Sequence, residues 1–474
     1  MNGPHAIPTR AGRFVLTRAE AEALTGGRWH GAVDRVELRG AAIDSRAVTP
    51  ACLFACLPGA KVDGHEFAPA AVAAGAGLIL ASRPLALTAP VLVVADAVAA
   101  LGALASEYRR RHQGAVWIAI TGSNGKTTTK ELLAAACAAA GGAVHATHGN
   151  LNNHLGVPLT VLNAPADLAY AVIELGANHQ REIASLSAIV RPDVGVITTL
   201  GPAHLEGFGG MAGVAIGKSE LFAALPSGAP ALIGLHGVEI HARHAGLTLD
   251  QLLAPVRANA AGRQLIEVGS VACPVTGAVE ADAVVLRTAD GAARVGLLGA
   301  HNLANAMLAF LAAVAAGVAP ASALQGLATV RAAGGRLQAR TLGAHTLIDD
   351  TYNANPGSMI AGLDVLVGHA GRRLAVLGAM GELGAESDAG HRLVGTEAAV
   401  RGLPLITVGP RAKPIADGYR AAGGPDHEHH DAHGAAASAV MARLAAGPTT
   451  VLVKASRSAG LEAVVATIAA GWDR

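Results

Sequence analysis

The segment TGSNGKTTT at 121–129 constrains the fold of this chain more than any other part of its sequence. It follows the short apolar run 116–120 and leads into a predicted helix over 127–140. A buried strand, a glycine loop and a helix in this order can surround a phosphate with backbone N–H groups, while Lys126 adds a positive charge and Thr127 a hydroxyl for Mg²⁺. An ordinary glycine-rich turn would not explain the Lys-Thr pair at the start of the helix.

The loop departs from the general P-loop pattern GxxxxGK[ST], which needs glycine at position 120, where this chain has isoleucine. The chain has the shorter GxxGKT form. We predict that this loop binds ATP. The residues assigned to the phosphates are Gly122, Ser123, Asn124, Gly125, Lys126, Thr127 and Thr128.

Composition argues against several other classes of protein. The 36 basic and 35 acidic residues nearly cancel and aromatic residues make up only 3%, which is unlike a general nucleic-acid binder. Four cysteines in 474 residues are too few for a disulfide framework, which predicts a reducing, cytoplasmic compartment. The uncharged stretch 302–330 contains Asn, Gly and Pro among many Ala residues, so we expect a buried helix and a turn rather than a membrane span.

Alternating strand and helix signals predict an α/β fold in about three domains. We expect a small α/β N-terminal domain over 1–113 and a central P-loop-type domain over 114–334, whose mostly parallel sheet has helices on both faces. A C-terminal Rossmann-like, doubly wound domain is expected over 335–474. Locally, residues 14–24 are expected to form a helix, and the run DHEHHDAH at 426–433 a solvated loop rather than a metal-binding tract.

Two polar residues stand where predicted strands of the central domain end. Glu174 ends the strand YAVIE, and His204 follows the strand VGVITT after a short turn. Ligands of an open parallel sheet bind outside the carboxyl ends of its strands, so both side chains are expected to meet the phosphate loop and to hold Mg²⁺. Taken singly, a glutamate or a histidine at such a position is more often a capping or surface residue.

Three further groups of polar residues are candidates for ligand binding. Asn302 and Asn305 share a helix face, and an amide suits the edge of a base; helix capping by Asn302 is the alternative. Arg336 lies near the start of the C-terminal block. Asp349 and Asp350 end a strand before a loop rich in Asn, Pro and Gly, which is a natural ligand site, although such carboxylates can also cap helices.

Together these segments resemble the Mur ligase family of peptidoglycan synthesis, across essentially the whole chain. Besides the phosphate loop, the resemblance rests on DSR at 44–46, DGHEF at 63–67, GNLNNHLGVPLT at 149–160, ELGANHQREI at 174–183, ITTLGPAHLEGFG at 197–209, GKSELF at 217–222, GAHNLANA at 299–306, DDTYNANPGSM at 349–359, LGAMGELG at 377–384 and LVKASR at 452–457. Two positions depart from the family pattern. Arg181 stands where glycine is usual, and Gly210 where serine is usual.

Within the family, the YNANP loop at 352–356 resembles the branch that adds D-alanyl-D-alanine to UDP-N-acetylmuramoyl-tripeptide. The resemblance implies that ATP phosphorylates the terminal carboxylate of the tripeptide and that the amine of the dipeptide attacks the resulting acyl phosphate. Two alternatives remain: an amide ligase of the same architecture with a different amine acceptor, and a regulatory ATP-binding protein without turnover. The third residue of the stem peptide, lysine or diaminopimelate, is left open.

The resemblance also implies a metal site. Thr127 and Glu174 would hold one Mg²⁺ ion, and His204 would help to hold a second. Lys218 in GKSEL would carry a carbamate formed with CO₂, which replaces a repelled ammonium with an anionic metal ligand. The alternative is an unmodified lysine that points away to a phosphate or an acidic neighbour.

The other roles that the resemblance implies divide between nucleotide and substrates. They are adenine contact by Asn302, closure of the nucleotide site by Arg336 and Asp350, binding of the uridine diphosphate by Ser45 and Arg46, contact with the muramoyl-peptide by Asn150 and Asn153, and contact with the acceptor dipeptide by Asn353 and Asn355. A site made by three domains implies closure on the substrate, which would exclude water from a hydrolysable intermediate. The acting unit is expected to be a monomer.

Overall fold

The computed structural model describes residues 11–31, 33–59, 62–332, 334–381 and 383–472. Within them, five sheets group into an N-terminal, a central and a C-terminal region, each built from strands and helices of its own.

The N-terminal region carries a five-stranded sheet in the order β2-β7-β6-β5-β4 and an antiparallel pair, β1 with β3. Its elements are β1 (Arg13–Thr17), α1 (Arg18–Thr25), β2 (Arg28–His30), β3 (Arg35–Arg39), β4 (Ala41–Ala42), β5 (Leu53–Ala55), α2 (Ala68–Ala73), β6 (Leu78–Ala81), β7 (Val91–Val93) and α3 (Ala97–Arg111).

The helix predicted over 14–24 is wrong in its first part, which is strand β1. Phe14 and Leu16 are buried and alternate with more exposed neighbours, as in a strand with one face on a core. The helix begins only after Thr17, whose hydroxyl accepts from the Glu20 N–H while the Glu20 carboxylate accepts from the Thr17 N–H. This reciprocal cap fixes the boundary that the run of apolar residues conceals.

The central region contains a fully parallel, six-stranded sheet in the order β13-β12-β11-β8-β10-β9 and a three-stranded antiparallel sheet, β14-β15-β16. Its elements are β8 (Val116–Thr121), α4 (Lys126–Ala138), β9 (Ala143–Ala146), α5 (Gly156–Leu162), β10 (Leu168–Glu174), α6 (Glu182–Val190), β11 (Val194–Ile197), α7 (Leu205–Phe208), α8 (Met211–Ala223), β12 (Pro230–Gly234), α9 (Val238–His244), α10 (Leu249–Asn259), β13 (Gln264–Val268), β14 (Thr276–Val279), β15 (Val284–Thr288), β16 (Gly291–Val295), α11 (Ala300–Ala315) and α12 (Pro320–Thr329).

Helices cover both faces of the parallel sheet, as predicted. Ile118 and Ile120 of β8 pack on the side of α4, α11 and α12, while Trp117 and Ala119 pack on the side of α5, α6 and α8. The strand is therefore apolar on both faces, which explains its uninterrupted apolar sequence. No helix in the described part of the chain is both long and apolar enough to cross a bilayer.

The C-terminal region is a second doubly wound unit, with the sheet order β17-β18-β22-β19-β20-β21. Strand β17 is antiparallel to β18, and the other strands run parallel. Its elements are β17 (Gln338–Leu342), β18 (His345–Asp350), α13 (Pro356–Gly368), β19 (Arg372–Gly378), α14 (Ser387–Val400), β20 (Leu405–Val408), α15 (Lys413–Ala421), β21 (His427–His430), α16 (His433–Leu444), β22 (Thr449–Lys454) and α17 (Glu462–Trp472).

The loop predicted over 426–433 is wrong for its centre, which forms the edge strand β21. The backbone pairs with β20, and the rings of His427 and His429 lie 3.1 and 2.9 Å from the buried Thr407 hydroxyl. A polar edge strand also resists pairing with other chains, so a charged sequence is compatible with this position. Among the residues that the structure describes, no group of histidine, cysteine or carboxylate side chains is arranged to hold a metal by itself.

One apolar core runs through both the N-terminal and the central region. Leu38 and Leu104 of the first region and Trp117 and Ile173 of the second are buried in the same cluster. The C-terminal region has a separate cluster on each face of its own sheet, and of the described central residues only Leu298 joins one of these. The first two regions therefore pack as one body, whereas the C-terminal region is attached from outside that core.

Asn163, directly after α5, links the two regions of the shared core. Its Oδ1 accepts from the Ala41 N–H at 3.1 Å, and its Nδ2 donates to the Ala41 carbonyl at 2.9 Å. Close by, the Tyr108 hydroxyl donates to the Ala164 carbonyl at 2.5 Å. These buried bonds fix α3 and β4 on the central region.

We expect Asn163→Ala to lower the free energy of unfolding by about 2–4 kcal/mol, because both backbone groups of Ala41 lose buried partners. Urea denaturation would measure the loss. Asn163→Asp should be at least as destabilising as alanine, because it buries a carboxylate whose second oxygen faces the Ala41 carbonyl. An alanine variant as stable as the parent would show that the amide does not join the regions.

Candidate active site

The phosphate loop is tied to the end of the neighbouring strand β11. The Thr198 N–H donates to the Thr121 carbonyl at 2.8 Å, and the Ser123 N–H donates to the Thr199 carbonyl at 2.9 Å. The Ser123 hydroxyl donates to the Gly201 carbonyl at 2.8 Å and accepts from the Gly201 N–H at 2.9 Å. The loop between β8 and α4 is therefore a fixed cradle and not a free turn.

Two glycines make this cradle possible. Gly122 has a φ of 142°, and a Cβ there would lie 2.0 Å from the Thr198 hydroxyl oxygen. Gly125 has a φ of 80°, and a Cβ there would lie 2.5 Å from Oδ1 of Asn305. Both the left-handed backbone and the close approach exclude a side chain at these positions.

Lys126, the first residue of α4, turns its ammonium back over the loop. Nζ donates to the Gly122 carbonyl at 2.8 Å and to the Ser123 carbonyl at 3.3 Å. Burial lowers the pKa of this lysine, the Glu174 carboxylate opposes that effect and the Arg336 guanidinium adds to it. A bound phosphate would favour the charged form, so the loop is suited to an anion.

Glu174 ends β10 with one carboxylate oxygen held and the other open. Its N–H donates to the Thr147 hydroxyl at 2.9 Å, and Oε1 accepts from Nδ2 of Asn152 at 2.8 Å. Oε2 is buried without a hydrogen-bond partner among the described residues. Lys130 fixes Thr147, the partner of Glu174, because its Nζ donates to the Thr147 carbonyl at 2.6 Å. An orphaned carboxylate oxygen beside a phosphate loop fits Mg²⁺, which prefers such oxygen ligands.

A cleft of about 1620 Å³ lies between the phosphate loop and the C-terminal region. It gathers most of the residues that the sequence singled out. Those that line it are Ser123, Asn124, Gly125, Lys126, Thr127, Thr128, Asn150, Asn153, Glu174, His204, Asn302, Asn305, Arg336, Asp350, Asn353 and Asn355. The predicted residues outside its wall are Ser45, Arg46, Gly122, Lys218 and Asp349, of which Gly122 contributes its carbonyl to Lys126.

The C-terminal wall of the cleft is organised by a buried ion pair. Oδ2 of Asp350 accepts from Nζ of Lys454 at 2.6 Å, and Oδ1 accepts from the Leu337 N–H at 3.2 Å. Nζ of Lys454 also donates to the Asn353 carbonyl at 3.2 Å. Asp350 therefore holds the loop after β18 in place through Lys454.

The YNANP loop touches the phosphate loop directly. Nδ2 of Asn355 donates to Oδ1 of Asn124 at 2.7 Å, and Oδ1 of Asn355 caps α13 by accepting from the Ser358 N–H at 2.9 Å. The ring of Tyr352, in the same loop, lies under the guanidinium of Arg336, whose Cζ is 4.0 Å from the ring centre. The C-terminal region thus contacts the phosphate loop through the side-chain amides of Asn355 and Asn124.

The two asparagines of α11 form one unit. Nδ2 of Asn302 donates to the Leu298 carbonyl at 2.8 Å, and Nδ2 of Asn305 donates to Oδ1 of Asn302 at 3.0 Å. The capping position of this helix is Gly299, so the alternative of helix capping by Asn302 is wrong. Asn305 packs against Gly125 and so supports the phosphate loop from the side of α11.

Ser45 and Arg46 lie on a short 3-10 helix of the N-terminal region, away from the cleft wall. The Arg46 guanidinium is paired with Asp44, with Nη2 2.6 Å from Oδ2. The structure therefore does not bring the predicted uridine-diphosphate residues into contact with the phosphate loop.

Lys218 is buried in α8 beneath the floor of the cleft. Nζ donates to the carbonyl of Ala177, a residue of the cleft wall, at 3.1 Å and lies 4.9 Å from the ring centre of Phe208. Burial, aided by the charge of Lys126, lowers the pKa of Lys218 to about 7. Burial therefore favours the neutral amine of this lysine over the charged ammonium.

Sequence reasoning missed Asn152, Tyr352 and Lys454 as residues of the site. All three stand inside segments that carried the family resemblance, and Asn152 and Tyr352 are directly beside residues that were chosen. The run NLNN does not reveal which amide faces a carboxylate, and a lysine at the end of β22 gains its meaning only from the pairing of β22 with β18.

We expect Gly125→Ala to weaken ATP binding more than tenfold, because the new methyl group would strain the backbone and displace Asn305 from the loop. Binding of a fluorescent ATP analogue would measure the loss. Gly26→Ala is the matched control, since Gly26 has a φ of 65° with open space around its Cβ position. It should cost stability without changing ATP affinity. Equal affinity in both variants would contradict this account of the loop.

Three family models match the chain. They are "Mur ligase family, catalytic domain" over 37–112, "Mur ligase middle domain" over 120–313 and "Mur ligase, glutamate ligase domain" over 335–457.

Individual proteins agree with the family models. The chain is 37% identical over 459 residues to the UDP-N-acetylmuramoyl-tripeptide–D-alanyl-D-alanine ligase of Escherichia coli K12, covering 95% of this chain and 97% of that protein. It is similar to the crystal structure of MurF from Acinetobacter baumannii, with a TM-score of 0.85, 31% identity and coverage of 96% and 99% of the two chains. It is also similar to MurF from Thermotoga maritima in complex with ADP, with a TM-score of 0.77, 25% identity and coverage of 92% of this chain and 98% of that chain. This chain belongs to the Mur ligase family.

Proposed function

We propose that this chain uses ATP to join D-alanyl-D-alanine to UDP-N-acetylmuramoyl-tripeptide in peptidoglycan synthesis. The observation that carries the proposal is the hydrogen bond between Asn355 of the YNANP loop and Asn124 of the phosphate loop. It places the loop that distinguishes this branch of the family against the loop that would deliver the phosphoryl group. The names of the similar proteins from E. coli and A. baumannii support the same activity.

ATP would bind with its phosphates on the loop 122–128 and its adenine near Asn302. Mg²⁺ neutralises charge on a transferring phosphoryl group when it is bound. Thr127 and Glu174 would hold one such ion, and the open Oε2 of Glu174 supports that assignment. His204 and a modified Lys218 would hold a second. Lys126 would leave the loop carbonyls and place its charge on the transferring phosphate.

The proposed reaction has two steps. A terminal carboxylate oxygen of the tripeptide attacks the γ-phosphorus of ATP, and ADP leaves. The neutral amine of D-alanyl-D-alanine then attacks the acyl carbon, phosphate leaves with its bridging oxygen, and the amine loses a proton as the amide forms. Both steps depend on positioning and on charge stabilisation, which a cleft shielded from water strengthens.

We assign a different ligand to each of the three regions of the chain. Residues 1–113 would bind the uridine diphosphate through Ser45 and Arg46, outside the cleft, and the peptide would then reach in past Asn150 and Asn153. Residues 114–334 would bind ATP. Residues 335–474 would bind the acceptor through Asn353 and Asn355 and close the nucleotide site with Arg336 and Asp350. The proposed acting unit is a monomer in the cytoplasm, where ATP is available.

We also propose that Lys218 carries a carbamate. Formation requires a neutral amine, which attacks CO₂ and releases a proton, and the lowered pKa of Lys218 favours that form. The hydrogen bond from Nζ to Ala177 supports the location, because a carbamate built on this nitrogen would extend beside a residue of the cleft wall.

An acceptor panel tests the proposed activity. Phosphate release with UDP-tripeptide and ATP should require D-alanyl-D-alanine, and mass spectrometry should identify the product as the UDP-pentapeptide. Lys126→Gln should lower kcat about a thousandfold, because it removes a charge on the transferring group. Lys413→Gln, at an exposed lysine outside the cleft, is the matched control. Turnover with single amino acids as the better acceptors would indicate another amide ligase, and ATP binding without turnover a regulatory protein.

We expect Asn353→Ala to raise the KM for D-alanyl-D-alanine more than the KM for ATP. The Asn353 amide is proposed to pair with polar groups of the dipeptide. Its removal leaves those dipeptide groups without a hydrogen-bond partner, which costs about 1–3 kcal/mol. Steady-state kinetics with each substrate varied in turn would separate the two effects. A raised KM for ATP with an unchanged KM for the dipeptide would assign the loop to the nucleotide.

We expect Lys218→Ala to lose most activity and to recover part of it with a short carboxylic acid such as propionate. The parent enzyme should lose activity when CO₂ is removed and regain it with bicarbonate. Because carbamate formation needs the neutral amine, occupancy should rise as pH increases through about 7. NMR with isotopically labelled bicarbonate would detect the carbamate carbon. An active alanine variant, or a parent enzyme indifferent to CO₂, would exclude the modification.

A further inference from the structure

Arg181 occupies a backbone conformation that suits glycine. Its φ is 68° and its ψ −7°, in the left-handed region, directly before the first residue of α6. A branched or long side chain is disfavoured there because Cβ approaches the following carbonyl oxygen. The described non-glycine residues with positive φ are Ala51, Arg181, Arg191, His204 and Leu337, and three of them, Arg181, His204 and Leu337, line the cleft. Such strain persists where the surrounding structure enforces it, often at functional sites.

The carboxylate of Glu220 holds Arg181 in its left-handed backbone conformation. Oε1 of Glu220 accepts from the Arg181 N–H at 2.6 Å, and Oε2 accepts from the Ala184 N–H at 2.9 Å. The carboxylate of Glu220 thus satisfies two of the free N–H groups at the start of α6 and fixes the residue between them.

Arg181 is an exposed residue of the cleft wall, and its side chain forms no ion pair with any residue that the structure describes. The nearest acidic neighbour in sequence, Glu182, uses its Oε2 to accept from the Asn178 N–H at 2.7 Å. Arg181 therefore brings a charged fork with five donors to the cleft wall, with no ion-pair partner among the described residues.

The position of α6 indicates which substrate this cation meets. Helix α6 packs on α3 of the N-terminal region, where Nε of Arg109 donates to the Val190 carbonyl at 2.8 Å. Ile183 of α6 is buried in the shared core, so Arg181 lies at the start of a helix that belongs to that core, whereas Tyr352 belongs to the C-terminal region. The nucleotide-linked peptide would reach the phosphate loop along the side of that core.

We propose that Arg181 is a substrate-binding residue whose guanidinium pairs with an anionic group of the UDP-linked tripeptide. The inference rests on the proposed function. Carboxylate and diphosphate oxygens both match the bidentate geometry of a guanidinium, so the ligand chemistry is the same for either source. Diaminopimelate carries a carboxylate that lysine lacks, and the two forms of the tripeptide can therefore separate the sources.

The test uses three variants of the full-length chain. Arg181→Gln removes the charge and keeps the strained backbone, Arg181→Lys keeps a charge without the fork, and Arg181→Gly removes both charge and strain. Arg191→Gly is the matched control, because Arg191 has a φ of 46° at the other end of α6 and lies outside the cleft. Isothermal titration calorimetry measures the Kd of the tripeptide in its diaminopimelate and lysine forms and the Kd of an ATP analogue.

The glutamine and glycine variants should raise the Kd of the tripeptide about tenfold, and the lysine variant less, with the Kd of the ATP analogue unchanged. The urea midpoint of Arg181→Gly should exceed that of Arg181→Gln, as relief of strain requires. A loss confined to the diaminopimelate form would identify its extra carboxylate as the partner, and a loss in both forms a carboxylate or diphosphate that they share. Arg191→Gly should bind like the parent.

Unchanged tripeptide affinity in Arg181→Gln and Arg181→Gly would overturn the proposal, and so would a loss of ATP affinity alone. These outcomes differ from failure of the proposed function, in which the parent chain itself neither binds the tripeptide nor ligates the dipeptide.

Discussion

The attachment of the phosphate loop to the end of β11 is the constraint on which the site depends. Strand β8 lies between β10 and β11 in a parallel sheet, so three carboxyl ends meet at one edge. The bonds of Ser123 to Thr199 and Gly201 hold the loop against that edge, and the glycine at 122 permits the approach. Glu174, at the end of β10, lies at the same edge because of the strand order, and its Oε2 is buried without a hydrogen-bond partner among the described residues.

The three regions are joined by different kinds of contact. The N-terminal and central regions share one apolar core, which Asn163 reinforces, whereas the C-terminal region has cores of its own and meets the phosphate loop through the Asn124–Asn355 amide pair. A few polar contacts can break and reform at much lower cost than a shared core. We therefore propose that the expected closure of three domains is a movement of the C-terminal region relative to the N-terminal and central regions. That region also carries Asp350, Lys454 and the YNANP loop, so the same movement would assemble the acceptor side of the site.

The sequence predicted what short-range patterns determine and missed what pairing determines. The order strand, glycine loop and helix was predicted correctly, because the close approaches at Gly122 and Gly125 demand glycine at both positions. The edge strand β21 was missed, since its polar sequence has no apolar signal and only its pairing with β20 makes it a strand. The helix predicted over 14–24 is wrong only over 14–17, because the apolar residues before the cap at Thr17 belong to strand β1. The partnerships of Asn152 with Glu174 and of Lys454 with Asp350 join distant segments, so no local pattern reveals them.

The central claim is that this cleft transfers a phosphoryl group from ATP to a carboxylate before the amide forms. The most direct test is to label both terminal carboxylate oxygens of the UDP-tripeptide with heavy oxygen and to analyse the phosphate released during ligation. An acyl phosphate requires that one labelled oxygen leaves in the phosphate and the other stays in the new amide. Released phosphate without label, in a reaction that still forms the amide, would contradict the mechanism.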